Sequence, residues 1–271
     1  MRNPSLHRYA LITEGATFLL LIAGSLVTST DSGLAVPDWP LSYGTWFPPM
    51  VGGIRYEHGH RMVAGVVAVM ILVLAIWIAR AGSPRWLRRL GYGALAAVLL
   101  QALLGGLTVL LLLPPQVSIA HACLAQTVWC LVAGIAHGTS PSYGTGHPAS
   151  SGATKKLSRI VAVLAIAQLV LGAVVRHTGY AVLPHLLVAF LILLHAVLFL
   201  RRVVSDPGSS HLRTGAWMLL ALVCAQVALG LLVFFHRGML LARTGHVAVG
   251  AFVLAQVILV SGEAHRVARL S

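Results

Sequence analysis

Acidic side chains are scarce in this 271-residue chain: six Asp and Glu stand against 19 Lys and Arg, and charged residues of either sign make up only 9%. With 58% of its positions hydrophobic, a soluble globule would lack the polar surface needed to cover its core, which excludes a water-soluble enzyme. Cysteine is sparse too. Cys123, Cys130 and Cys224 lie inside apolar runs, which excludes a secreted-type disulfide framework and fits no metal-binding spacing, so they read as packing residues. Strand-like alternation is absent, which excludes a β architecture. No small-residue cleavage site follows the first apolar run, which continues as "SLVTSTDSG", so that run reads as a membrane helix rather than a removable signal. The formal charge of +13 on so apolar a chain points to anionic membrane lipid at the cytoplasmic face, with no nucleic acid as partner.

Eight apolar runs are present, at residues 11–28, 60–79, 91–113, 118–137, 157–175, 182–200, 214–235 and 244–262. At about 20 residues per crossing they leave room only for short connections. The expected fold is all-α: a polytopic membrane protein with eight transmembrane helices in two tandem parallel four-helix bundles. Basic residues orient it, because Arg2, Arg8, Arg80, Arg85, Arg88, Arg89, Lys155, Lys156, Arg159, Arg201, Arg202, Arg213, Arg266 and Arg269 fall on one side. Arg55, Arg61, Arg176, Arg237 and Arg243 fall on the other, so both termini are expected in the cytoplasm and the loop 29–59 outside. A Gly-, Ser- and Pro-rich stretch reads as a cytoplasmic linker over 141–156, between an N-terminal half 1–140 and a C-terminal half 157–271.

The halves repeat. "QALLGGL" from Gln101 matches "QVALGLL" from Gln226, and His121 and His246 each follow their glutamine by 20 residues. The same offset of 125 carries His60 onto His185. The first helices match at an offset of 148, "VTST" at Val27 against "VRHT" at Val175, so the first half carries 23 extra residues in its outer loop. An even number of helices per half makes the repeat parallel, unlike the inverted pairs common in transporters.

His60, His121, His185 and His246 each open an even-numbered helix at the outer face, one pair per half. A polar side chain in a bilayer is kept by a partner or a function. One reading is four imidazoles hydrogen-bonded to neighbouring helices. The repeated spacing favours ligation of haem iron, two axial imidazoles per porphyrin between facing helices. A single zinc or copper ion shared by all four is a third reading, against which the duplication of pairs argues. A transmembrane electron-transfer cytochrome is a fourth, but it needs ligands near both faces. His195, near mid-helix with no repeat counterpart, reads as a packed, hydrogen-bonded residue.

The halves differ at one place. "YEHGHRMVAG" contains Glu57 three residues before His60, whereas the equivalent stretch "YAVLPHLLVA" has no acid. If helix two extends back that far, the carboxylate and the imidazole share a face. Glu57 then serves either proton transfer beside the bound group or a plain outer-face pair with Arg61 or Arg55. Arg176, Arg237 and Arg243 are candidates for haem propionate contacts, or ordinary outer-loop charges.

Taken together, "TSTDSGLAVPDWP", "EHGHR", "IAHACLAQ", "VRHTG", "PHLLVA" and "TGHVAVGAFVLAQ" resemble the haem A synthase family of bacteria, through essentially all eight helices. The resemblance implies an oxidoreductase of the inner membrane that converts a methyl group of haem O to the formyl group of haem A, by successive oxidations, for cytochrome oxidase assembly. It implies haem b as cofactor on His185 and His246, substrate haem facing His60 and His121, and a catalytic role for Glu57. Haem O synthase, the cytochrome oxidase assembly machinery and further copies of the chain are the partners it suggests. This sequence departs from the family in two places. Many bacterial relatives carry a cysteine pair in the first outer loop, where Ala35 and Ser42 stand here, and the usual arginine after the valine of helix one is Thr28.

Overall fold

The computed structural model describes residues 3–141, 143 and 148–266. Among these are eight helices long and apolar enough to cross a membrane: α1 Pro4–Ser29, α2 Ile54–Arg80, α3 Arg85–Leu110, α4 Pro115–Thr139, α5 Gly152–Thr178, α6 Val182–Ser205, α7 Arg213–Phe235 and α8 Leu240–His265. At about 1.5 Å per residue, the shortest still exceeds the hydrocarbon thickness. The chain is a multi-pass membrane protein. Part of the expected linker, residues 142 and 144–147, lies outside the described residues.

Local chemistry sets the ends. Asn3 accepts a hydrogen bond from the Leu6 amide at 3.1 Å and Pro4 occupies the first turn of α1, where its missing N–H costs nothing. Ser151 caps α5, which therefore begins five residues before the apolar run that announced it. Gly179 ends α5 in the left-handed region, φ 75°. The run expected to reach residue 113 stops being helical at Leu110. Pro114 and Pro115 follow, and the residue before a proline is disfavoured in helical geometry. The turn closes with Leu112 and Leu113 at φ 58° and 61°, and the Leu113 amide donates back to the Thr108 carbonyl at 2.7 Å. A short 3₁₀ turn, Pro207–Leu212, leads into α7.

The chain divides into two compact units, Met1–Pro141 with Gly238–Ala248, and Ser142–Arg237 with Val249–Ser271. In the first, α1 packs on α2 and α4, and α3 packs on the same two, which closes a four-helix ring. Its apolar core, including Leu6, Ala10, Ile71, Ile78, Leu87 and Ile135, lies toward the end where α1 begins and α2 finishes. Threonines on α1 return their hydroxyls to the preceding turn, Thr13 to Tyr9 at 2.9 Å and Thr17 to Thr13 at 2.7 Å, as buried hydroxyls in hydrocarbon must. Polar chemistry is thereby left to the opposite end, where α1 runs into the loop 30–53.

In the second unit α6 packs on α5 and α7. Asp206 gathers the start of α5, accepting from Ser151 N at 3.1 Å, Thr154 Oγ1 at 2.8 Å and Ser209 Oγ at 2.7 Å. These donors, the Ser209 hydroxyl foremost, hold its carboxyl below the usual aspartate range. Gln256 of α8 donates to the Gly215 carbonyl of α7 at 2.9 Å.

The α3–α4 turn yields a prediction. A branched side chain at positive φ costs roughly 1–2 kcal/mol relative to glycine. Leu112→Gly is therefore expected to raise the thermal unfolding midpoint in detergent, whereas Leu113, whose methyl groups rest where a Gly33 side chain would sit, loses packing when truncated. A lower midpoint for Leu112→Gly contradicts this account.

Candidate functional site

Helix α2 starts at Ile54, so Glu57, His60 and Arg61 fall within little more than one turn, at spacings that place them on neighbouring faces. Glu57 is only 4% exposed. One carboxylate oxygen accepts from the Val36 amide at 2.8 Å and the other from the Arg61 guanidinium at 2.6 Å. A charge taken out of water needs this full set of donors. The plain ion pair with Arg61 is thus realised, but in a buried setting; Arg55 instead stacks over the Tyr56 ring at 4.9 Å.

The loop between α1 and α2 folds down over this end of the first unit, and Arg61 fastens it. Beyond Glu57, the same guanidinium donates to the carbonyls of Asp38 at 2.7 Å, Leu41 at 2.9 Å and Val36 at 3.4 Å. Val36 is fully buried. Asp38 turns its carboxylate onto the amides of Tyr43 and Gly44 at 2.7 and 2.8 Å, and these bonds, Gly44 first, hold it below the ordinary aspartate value. Ala35 and Ser42 are each tied in by a hydrogen bond. Ala35 offers its carbonyl to the Tyr43 hydroxyl at 2.7 Å, and Ser42 bonds the His58 Nδ1 at 2.7 Å, both partners buried. Across the ring of helices, the Trp39 indole lies on Gly106 of α3 so closely that a side-chain carbon there would come within 2.6 Å of it. The loop is therefore a fitted cap whose close approach to α3 depends on glycine.

Beneath it lie His60 and His121. Each lies against a glycine on the preceding helix: a Cβ on Gly24 of α1 would come 3.0 Å from the His60 ring, and one on Gly105 of α3 would come 3.2 Å from the His121 ring. The second unit repeats the arrangement, Gly172 of α5 lying 3.2 Å from the His185 ring by the same measure. Two glutamines accompany these seats. Gln101 donates to the His121 backbone carbonyl at 2.9 Å, and Gln168 to that of His185 at 3.1 Å. His60 Nδ1 is buried and has no hydrogen-bond partner. Imidazoles on glycine seats, that of His60 among them with its Nδ1 buried and unmet, suit the donor set that haem iron takes. Among the described residues no three His, Cys, Asp or Glu side chains cluster as a shared zinc or copper site requires.

The remaining expected site residues are spread out. His246 lies on α8 within the segment grouped with the first unit. Arg243, also there, donates to the Ser29 carbonyl at 3.2 Å, at the end of α1. Arg176 is half-buried in the last turn of α5, and Arg237 is exposed between α7 and α8. His195 bonds the Leu191 carbonyl of its own helix at 2.8 Å.

Residues 54–185, from Glu57 and His60 through His121 to His185, match the COX15-CtaA family model, described as cytochrome oxidase assembly protein. Over that segment the chain is similar to the COX15-CtaA family. Its relatives include proteins named heme A synthase. That of Lysinibacillus sphaericus is 38% identical over 111 residues, covering 40% of this chain and 36% of the relative. That of Bacillus licheniformis is 38% identical over 109 residues, with the same coverage of each. That of Roseobacter denitrificans is 33% identical over 131 residues, 43% of this chain and 33% of the relative. The matches thus span about a third of the length of these curated relatives. The family match takes in the seats at Gly105 and Gly172, both glutamines and Arg61, but not the seat at Gly24, the cap or α8.

Arg61 is what sequence reasoning undervalued: it appeared only as a partner for Glu57, since bonds to loop carbonyls leave no mark in sequence. Arg61→Gln is expected to raise the rate of proteolytic cleavage within 30–53 roughly tenfold, and Arg61→Lys nearly as much, since an ammonium cannot span the same carbonyls. Cleavage at the wild-type rate would contradict the clasp. The lowered Asp38 value adds a pH window. Its contribution to the cap is complete above the ordinary aspartate range, near pH 4, and fades only as pH falls through the lower folded value. Asp38 itself should therefore not loosen the cap between neutrality and about pH 4, which comparison with Asp38→Asn checks.

Proposed function

We propose that this protein is a haem A synthase of the bacterial inner membrane, an oxidoreductase converting a methyl group of haem O to the formyl group of haem A for cytochrome oxidase assembly. The observation that carries the reading is Glu57: a buried carboxylate one turn from an imidazole, under a cap, in the half whose outer loop is longest. His60 and His121 hold the substrate haem, with their rings against Gly24 and Gly105. Glu57 stands beside it, its Oε atoms able to take a proton from the reacting carbon or to stabilise positive charge developing there. Arg61 and the Val36 amide keep that carboxylate in one orientation. The cap, through Val36 and Trp39, keeps water from the reacting end. Electrons and the oxygen atom come from outside this chain.

His185 and His246 are assigned to haem b on the strength of their repeated spacing. These two imidazoles would hold haem b, which would supply electron transfer. Arg176, Arg237 and Arg243 are assigned to the outer side, with propionates as candidate partners for the two that do not bond Ser29. Both termini are assigned to the cytoplasm, haem O synthase supplying the substrate and the oxidase assembly machinery taking the product.

The test is co-expression with a haem O synthase, followed by chromatography of the extracted haems. Wild-type protein is expected to accumulate haem A. Glu57→Gln is expected to lower haem A by roughly a hundredfold, the usual scale of an acid–base group, while haem b stays bound. His185→Ala is expected to lose haem b. Haem A formed by Glu57→Gln at the wild-type level overturns the assignment of Glu57, and a wild-type protein that binds haem b but makes no haem A reduces the reading to a haem-binding cytochrome.

A further inference from the structure

The cap has a second face. Between Asp38 and Arg55 the chain holds no Asp, Glu, Lys, Arg or His, and its tip turns large apolar side chains outward. Trp46 is 66% exposed and Phe47 83%, with Met50 and Val51 exposed beside them in sequence. Glu57 and Arg61 account for the underside of the loop alone. Exposed apolar side chains gathered in one segment mark a partner, and the backbone of the tip narrows its kind. Pro48 and Pro49 have no amide N–H, while the amides of Phe47 and Val51 already donate to the Thr45 hydroxyl at 3.2 Å and the Pro49 carbonyl at 2.9 Å. The Ser42 and Thr45 amides are likewise spent on each other's carbonyls, at 3.0 and 3.1 Å. A tip whose amides are mostly absent or spent offers little to a protein edge seeking main-chain hydrogen bonds, and loses little on leaving water.

Position names the partner. Met50 folds back along α2, its methyl group 3.8 Å from where a Gly59 side chain would sit. Gly59, Met62, Val63 and Val66 share one helix face by their spacing, and the last three are exposed. That stripe meets lipid where α2 crosses the bilayer, and the tip of the cap continues it with no charged residue between. The depth agrees. The 27 residues of α2 span about 40 Å against about 30 Å of hydrocarbon, so a centred helix stands clear by about 5 Å at each end. Gly59 lies about 7.5 Å along the helix from Ile54, which puts the Met50 methyl group at the edge of the hydrocarbon, with Val51 next to it in the chain and Phe47 and Trp46 shortly before.

We propose that Trp46, Phe47, Met50 and Val51 seat the cap in the membrane leaflet at the α2 start, with the acyl chains and glycerol region of its lipids as their partner. Tryptophan suits that depth, because its ring is apolar while its indole N–H still finds an acceptor among the headgroups. Arg55, stacked over the Tyr56 ring in the first turn of α2, sets a guanidinium at the level of the lipid phosphates. A water-soluble protein could cover the tip but not the stripe of Met62, Val63 and Val66 that runs on from it; lipid covers both. The cap is thereby held twice, from beneath by Arg61 and from the side by the bilayer.

The test uses the full-length protein in phosphatidylcholine vesicles and reads the emission of Trp46 as the difference between wild type and Trp46→Phe, a replacement that keeps an exposed position apolar. Lipids brominated on the acyl chain near the headgroup are expected to quench that difference by roughly half, and lipids brominated near the terminal methyl to quench it less. Iodide added to the water on either side is expected to leave it unchanged. Quenching by iodide with none by brominated lipid means a tip in water and overturns the proposal. Quenching by neither means a tip covered by protein, a second copy of the chain included, and overturns it equally. Phe47→Asp supplies the converse, since a carboxylate there opposes insertion: quenching of Trp46 by the shallow brominated lipid is expected to fall at least twofold, and undiminished quenching overturns the proposal. None of these outcomes bears on the proposed haem chemistry.

Discussion

A carboxylate and a guanidinium buried together at the end of a membrane helix are tolerable only if every donor and acceptor they carry is met, because hydrocarbon offers no water to make up the deficit. Glu57 and Arg61 meet this demand by recruiting the backbone of the loop above them. The Val36 amide completes the carboxylate, and three loop carbonyls complete the guanidinium. Electrostatic necessity thus dictates the fold of a segment with little regular structure of its own. The cap is held because the polar groups beneath it need its backbone atoms.

This dependence also explains how the loop holds together without a disulfide. In a cysteine-bearing loop, a covalent link limits how far the segment strays. Here the same region is bounded by the Ser42–His58 and Tyr43–Ala35 hydrogen bonds, with the Asp38 carboxylate folding the turn between them. A network of that kind is insensitive to reductant, its Ser42–His58 bond being buried and its Asp38 bonds charge-assisted.

The eight helices are legible in the sequence because an apolar run of about 20 residues has few alternatives in a bilayer. Their ends were harder to read. The leucines at 111–113 look helical by composition, yet the two prolines after them impose a turn, and α5 begins at Gly152 because Ser151 can cap it, not because its residues there are apolar. At the site, the sharing of a face by Glu57 and His60 could be foreseen once α2 was extended backwards, and the fixed distance from Gln101 to His121 was visible as a repeat. What that glutamine does was not visible, since its partner is a backbone carbonyl, and backbone groups carry no residue identity. The same holds for Arg61. The glycine seats escaped because a glycine marks a close approach only when the approaching ring is known.

The stacking of Trp39 on Gly106, the residue next to the His121 seat, has an optical corollary. If the proposed substrate haem lies against His121, an indole so near would pass its excitation to that tetrapyrrole and go dark, then brighten when the pigment departs. On that reading Trp39, one of six tryptophans in the chain, is a native fluorophore whose share of the emission would follow occupancy.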